Sequence, residues 1–187
     1  MACIHGSARR GRGQAIAEFA LVVPVLMAVI GGIIQFGFIF WAQNTLTQVV
    51  RDTGRWEVTQ QTPGGHCPDG TAALGDEANK IAASSSLLGY STAWSISNVG
   101  NDANVASYVT DESIAVAWTA DSDPNNEGCP PQDNQAVWHV TIRINHTVPT
   151  FFPGMQYLPG LGTCDAKGCH IMLSSTAQFR MEPAPAP

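Results

Sequence analysis

The chain contains five cysteines, and their chemistry depends on the compartment in which they lie. Cys3 lies near the N-terminus, and Cys67, Cys129, Cys164 and Cys169 follow a long apolar segment. An even set of cysteines outside the cytoplasm predicts disulfides, and four cysteines allow three pairings. We favour Cys164 with Cys169, because the glycine-containing sequence around them forms a turn easily, together with Cys67 and Cys129. The longer bridge would contribute about 4 kcal/mol by loop entropy.

A zinc site is the alternative use of these cysteines. Its ligands would be His66, Cys67, Cys164, Cys169 and His170. The spacing of these residues is not that of the common zinc-binding pairs, and free thiolates rarely persist outside the cytoplasm. Disulfides therefore remain the preferred interpretation, and we assign no metal to the cysteines.

An acidic loop offers oxygen ligands. Asp121, Asp123, Asn125 and Glu127 have the alternating spacing of a calcium-binding loop. The loop lacks the glycine at the sixth position and the glutamate at the twelfth position of the helix-loop-helix calcium site. A solvated turn is therefore the expectation, and the sequence implies no cofactor.

The sequence shows no catalytic constellation. The sequence has no Gly-x-Ser-x-Gly, His-Glu-x-x-His or phosphate-binding loop. His139 and His146 lie an odd number of residues apart on a predicted strand, so they face opposite sides of the sheet. We expect each to be a surface or half-buried side chain and expect no enzymatic activity. A net charge of −6 argues against a basic surface that binds nucleic acid.

Glu18 is a carboxylate inside an apolar segment. Between Ala15 and Trp41 the chain has no Lys, Arg or Asp and only this one Glu. A carboxylate in the centre of a membrane costs about 2.5–3.5 kcal/mol, so Glu18 needs a partner. If the chain were cut after Gly13, Gln14 would become the N-terminus, and its α-amine would lie one helical turn from Glu18. The alternative is that Glu18 reaches the lipid headgroups by itself.

The apolar segment is long enough to cross a hydrocarbon layer of roughly 30 Å, which excludes a freely soluble protein. It is too long for the apolar core of a secretory signal peptide and lacks a small-residue cleavage site at its end. Arg9, Arg10 and Arg12 precede it closely, and basic residues favour the cytoplasmic side. We therefore expect a cytoplasmic N-terminus and an exported C-terminal domain. Pro24 permits a bend in the helix.

The chain divides into four parts. Residues 1–13 are a basic cytoplasmic leader, and residues 14–61 are a transmembrane helix with an amphipathic extension. Residues 62–182 form a single exported domain, and residues 183–187 are a Pro/Ala tail. A helix that continues to about Val58 would be roughly 65 Å long and would project from the membrane as a stalk.

The exported part predicts an α+β fold. Helical spacing of apolar residues indicates a second helix over 71–88. Four later segments are β-branched, aromatic or alternating, and they predict an antiparallel sheet of about four strands packed on one or two helices. These segments are 92–97, 113–120, 136–148 and 171–181.

The N-terminal segment resembles the TadE/TadG-like minor pilins, or pseudopilins, of tight-adherence (Flp) pilus systems. The resemblance lies in RGRGQAIAEFALVVP at residues 10–24, QFGFIF at 35–40 and RDTGR at 51–55. A glycine five residues before a glutamate, directly ahead of an uninterrupted span, is its most specific part. Gln35 stands where many relatives carry glutamate.

The resemblance implies a structural subunit rather than an enzyme. It implies cleavage between Gly13 and Gln14 by a prepilin peptidase, and assembly through Glu18, Phe19 and Pro24. The implied partners are the peptidase, other pilus subunits, the membrane assembly platform and the lipid bilayer, with the domain outside the inner membrane or carried into a pilus. The alternative is an uncleaved single-pass anchor that displays an exported binding domain.

Overall fold

The computed structural model describes an α+β fold, as the sequence predicts. The described residues are 10–59, 69–90, 93–120, 123–127, 137–151, 162–165 and 168–181. The helices in them are α1 (Arg10–Thr59), α2 (Asp69–Ser84) and α3 (Asp102–Ser107). The strands are β1 (Ser95–Asn98), β2 (Ser113–Ala120), β3 (Asp123–Glu127), β4 (Trp138–Pro149), β5 (Thr163–Asp165) and β6 (Gly168–Met181).

Helix α1 has 50 residues, a length of about 75 Å, and two different surfaces. From Gln14 to Ile34 no side chain is buried, and the helix continues through Pro24. Beyond Ile34 one face of the helix is buried at helical spacing. The buried side chains of this face include Gln35, Ala42, Leu46, Val49, Val50, Thr53 and Glu57. The extension is therefore not a free stalk, because the domain packs along it.

The sheet has the strand order β1-β2-β4-β6-β5, and β3 pairs with the end of β2. Strand β4 pairs with β2 along eight residue pairs, from Ser113 with Asn145 to Ala120 with Trp138. On its other side β4 pairs with β6 from Trp138 with Met181 to Pro149 with His170. These two long antiparallel pairings fix the register of the central strand.

One described pairing departs from the expected antiparallel arrangement. Strand β1 runs parallel to β2, whereas the other described pairs are antiparallel. Parallel neighbours require a crossover connection, and α3 lies in that connection. The sequence analysis predicted an antiparallel sheet of about four strands and recognised neither α3 nor the short strands β3 and β5. The sheet is instead mixed, because β1 is parallel to β2.

The main core lies between one face of the sheet and the helices α1 and α2. Its largest fully buried side chains include Trp118 and Ile142 from the sheet, Leu46 from α1 and Leu74 from α2. Burying one such side chain stabilises the fold by about 1.5–3 kcal/mol. A smaller cluster on the opposite face joins Val105 of α3 to two alanines of β2.

Strand β4 confirms the predicted alternation between its two faces. His146 faces the core and is fully buried, so the expectation of a surface or half-buried side chain was wrong for this residue. His139 lies on the opposite face, with a side chain that is 16% exposed. The other side chains of β4 that lie on the core side are Trp138, Val140, Ile142, Ile144 and Val148.

At Gly54 the backbone of α1 lies directly against the Phe179 ring of β6. A Cβ atom at Gly54 would overlap the ring of Phe179, whereas a Cβ at Gly37 of the same helix would meet nothing within 4 Å. The absence of a side chain at Gly54 therefore sets how closely the ring packs on the helix.

We expect Gly54→Ala to destabilise the domain by about 1–3 kcal/mol through overpacking. Thermal unfolding of the detergent-solubilised chain, followed by circular dichroism, measures the effect. Gly37→Ala is the matched control and should be neutral or stabilising, because alanine favours helix. In a Phe179→Ala background the cost of Gly54→Ala should disappear, and an undiminished cost there would contradict the assignment.

Candidate assembly surface

The first part of α1 exposes an apolar surface. Among the described residues, α1 is the one helix long and apolar enough to cross a membrane. The segment from Ala15 to Ile34 is about 30 Å long, the thickness of the hydrocarbon layer. Phe19 is 69% exposed, and Ile16 and Leu21 are similarly open. Such a surface is stable in contact with lipid or with other helices, and not in water.

Gln14 and Glu18 lie together on this surface. The Gln14 amide Nε2 donates to Glu18 Oε1 at 3.0 Å, and both side chains are exposed. Gly13 precedes Gln14 within α1, and Phe19 and Pro24 lie on the same exposed part of the helix. The structure thus places the carboxylate one turn from residue 14, where an α-amine would be created by cleavage after Gly13.

Gln35 marks the point where the folded domain meets α1. Its side chain is only 2% exposed, and its Oε1 accepts a hydrogen bond from the backbone N–H of Phe151 at 2.9 Å. The Phe38 and Phe151 rings pack edge to face with centroids 5.9 Å apart. The sequence analysis assigned Gln35 to the span. The structure instead buries it against the domain, so one face of α1 is covered from Gln35 onwards.

A partly buried polar cluster, the Glu112 cluster, lies at the end of β4 that is nearest Gln35. Glu112 Oε1 accepts hydrogen bonds from the backbone N–H and the hydroxyl of Thr147. Its Oε2 accepts from Trp94 Nε1 at 2.7 Å and lies 3.1 Å from His146 Nδ1. The second ring nitrogen of His146 lies 2.9 Å from the Leu88 carbonyl oxygen. Both ring nitrogens of His146 therefore face oxygen atoms.

The Glu112 carboxylate is held in its charged form. Burial by itself raises its pKa, but hydrogen bonds from His146 and Thr147 and the His146 charge outweigh burial and lower the pKa to about 2. Burial and the Glu112 charge raise the pKa of Tyr90. A carboxylate with such a pKa and with its lone pairs occupied is a poor general base at neutral pH. Through Leu88 and Trp94, the cluster therefore attaches the segment that follows α2 to the sheet.

A second polar group lies on the opposite face of the sheet. Asp102, at the start of α3, lies 2.7 Å from His139 Nε2 and accepts a hydrogen bond from Thr119 at 3.3 Å. Burial tends to raise the pKa of Asp102, but the neighbouring hydroxyl of Thr141 and the interaction with His139 keep the pKa below its usual range. Arg143 Nη1 donates to the Ala106 carbonyl at 2.9 Å. These contacts attach α3 to the sheet.

Cys164 and Cys169 form a disulfide across the β5–β6 hairpin. Two sulfurs that are bonded to each other are not available as zinc thiolates. Within the described ranges, no group of three or more His, Cys, Asp and Glu side chains could hold a metal ion. Cys67, Cys129 and His66 lie outside the described residues, as does Asp121, and the pairing of Cys67 with Cys129 stays a prediction. Residues 123–127 of the acidic loop form β3.

An exposed apolar helix that carries one folded domain is consistent with a single-pass membrane protein. Residues 13–55 match the model of the TadE-like protein family. This match confirms the resemblance seen in the sequence and relates α1 to a structural family associated with Tad pili. It begins at the glycine before Gln14 and ends before α2. No curated protein and no solved structure matched the chain.

Three polar residues of the structure escaped the sequence analysis. Glu112 lies in the left-handed region with φ 48°, which no pattern of residue types reveals. Glu57 is 1% exposed, and Trp118 Nε1 donates to its carboxylate at 3.1 Å. Asp102 is the first residue of α3, a helix that the sequence analysis did not recognise. The one available signal was the inward position of His146 on β4, since a buried histidine needs a polar partner.

The pKa of Glu112 predicts how stability depends on pH. A carboxylate whose pKa falls from 4.5 to about 2 on folding adds stability that is complete above pH 4.5 and is lost as the pH falls through 2. The contribution is at most about 3 kcal/mol. In the Glu112→Gln variant the side-chain amide would also direct an N–H donor at Trp94 Nε1, which is itself a donor and would lose its acceptor.

We therefore expect Glu112→Gln to unfold at a lower temperature at pH 7 and to lose less stability than the wild type between pH 4.5 and pH 2. Thermal unfolding over this pH range measures both effects. Asp111→Asn removes the neighbouring, exposed carboxylate and serves as the matched control, with no expected change in either quantity. An unaltered pH profile in Glu112→Gln would show that another group governs acid unfolding.

Proposed function

We propose that this protein is a TadE-like minor pilin or pseudopilin, a structural subunit used to assemble a Flp-type, tight-adherence pilus. The observation that carries the proposal is the family match over residues 13–55, which coincides with the exposed apolar part of α1 and its extension. In this proposal α1 crosses the inner membrane, the leader 1–13 stays in the cytoplasm and the domain 62–182 is exported.

Processing by a prepilin peptidase is the first step of the proposed pathway. The scissile bond joins Gly13 to Gln14, and a residue without Cβ lets the catalytic groups of a protease approach the backbone closely. The family match starts at this glycine. Cleavage would remove the three arginines of the leader and leave a positive α-amine one turn from Glu18.

Assembly with other pilus subunits is the second step. The exposed apolar surface of α1 exchanges lipid contacts for helix packing when it leaves the bilayer. Glu18 then pairs with the α-amine of a neighbouring subunit, in place of its present hydrogen bond from Gln14. An ion pair away from water requires close register between subunits, so Glu18 selects the correct axial position.

Intact mass spectrometry of the membrane-extracted chain tests processing. Co-expression with a prepilin peptidase should remove residues 1–13, and the full-length chain should persist without the peptidase. Gly13→Leu should block this cleavage, whereas Gly11→Leu, at another glycine of the same leader, should not. A full-length chain in every case would favour the uncleaved anchor with an exported binding domain.

Glu18→Gln tests the assembly step separately from processing. We expect normal cleavage but about tenfold less subunit in complexes with other pilus proteins, the effect of losing a membrane interaction of 1–2 kcal/mol. Co-purification from a strain that expresses the complete pilus system measures this. Glu18→Asp retains the charge and should lose less. Equal recovery of Glu18→Gln and wild type would refute a role in assembly.

A further inference from the structure

The direction of β6 along α1 shows which end of the domain lies next to the span. Gln43 Nε2 donates to the Ser174 carbonyl at 3.1 Å, and Gly54, further along α1, packs against Phe179. Strand β6 therefore runs away from the apolar segment in the same direction as α1. The start of β6 and the end of β4, which pairs with it, lie at the level where the apolar segment ends.

Phe151 is fixed at this end of the domain. The backbone N–H and the hydroxyl of Thr150 both donate to the Cys169 carbonyl, at 2.9 and 3.0 Å. The Phe151 N–H is bonded to Gln35, and its ring packs on Phe38. Nevertheless, 62% of Phe151 is exposed. The Phe151 ring is therefore fixed in position by its neighbours and still exposed, unlike an apolar side chain that moves freely on a protein surface.

Four aromatic side chains of α1 continue this exposed surface. The exposed fractions are 43% for Phe36, 37% for Phe38, 67% for Phe40 and 44% for Trp41. At about 100° per residue, Phe36 and Phe40 lie about 40° apart on one side of the helix axis, and Phe38 and Trp41 lie about 60° apart on the roughly opposite side. Together with Phe151 these residues form an aromatic collar rather than a stripe along one face.

We propose that the aromatic collar lies in the outer headgroup layer and that Phe151 seats the exported domain directly on the bilayer. The inference rests on the proposed insertion of α1. If Ala15–Ile34 fills the hydrocarbon layer, then Phe38 and Phe151 lie about one helical turn beyond it, where aromatic side chains are enriched. The collar is continuous with the lipid-exposed surface of α1, and its distribution around the helix fits a surrounding lipid phase better than one protein partner.

Depth-dependent fluorescence quenching tests the seating with the full-length chain in nanodiscs. Three reporters are added singly to a Trp41→Phe parent: Leu26→Trp in the middle of the span, Phe151→Trp in the collar and Thr59→Trp at the far end of α1. The lipids carry bromine either near the headgroup or near the end of the acyl chain. Acrylamide, a quencher dissolved in water, provides an independent measurement.

We expect the Phe151→Trp reporter to lose roughly half of its added emission to the shallow bromines and much less to the deep ones, as at the interface. Leu26→Trp should be quenched by the deep bromines, and Thr59→Trp by neither. Acrylamide should quench the three reporters in the reverse order of their depth. This pattern would support the seating.

Two outcomes would overturn the proposal, and they differ in what else they affect. If Leu26→Trp is quenched by lipid but Phe151→Trp behaves like Thr59→Trp, then α1 spans the bilayer and the domain does not rest on it. If Leu26→Trp is not quenched either, the insertion of α1, and with it the proposed function, also fails.

Discussion

The packing of the second half of α1 against one face of the sheet is the interaction on which the rest of the structure depends. The same helix must be apolar on all sides before Gln35 and amphipathic after it. Leu46, Val49 and Val50 contribute to the main core, while β4 and β6 supply most of the opposing surface. Without α1 the sheet would expose that face to water. The exposed apolar segment and the helical part of the domain core therefore belong to one helix.

Buried polar groups set the geometry that apolar packing leaves open. Glu57 accepts a hydrogen bond from Trp118 at the end of α1 far from the apolar segment, and Gln35 accepts one from Phe151 at the near end. A shift of α1 along the sheet would leave these groups buried and unpaired, which costs about 1–3 kcal/mol for each group and more for a charge. The two contacts therefore define the axial position of the helix, which hydrophobic contacts alone define weakly.

Sequence patterns predicted the elements in which periodicity and burial agree. The bounds of β2 match the predicted 113–120, and β4 alternates as expected, because both strands are long and have one face in the core. Helix α3 has six residues and β5 has three, lengths at which neither period can be recognised. The parallel pairing of β1 followed from α3 and was missed with it.

The features of the candidate site also divide into those that local sequence spacing predicts and those that depend on long-range contacts. The exposed span, Glu18 and its distance from residue 14 follow from local spacing, which the sequence contains. The burial of Gln35 and the Glu112 cluster depend on residues more than 30 positions apart. Polar contacts of this range follow from the register of β4 and from one residue with positive φ. Residue types alone carry little information about either.

The absence of a break in α1 has a mechanical consequence. Helix α1 is assigned as helix from Arg10 to Thr59, and the domain is attached along its second half rather than through a flexible joint. A force applied to the apolar end of α1 is therefore transmitted directly to the hydrophobic core. A tilt of the helix rotates the whole domain with it. The domain therefore cannot rotate independently of α1, and the tilt angle of the helix sets the direction in which the sheet faces.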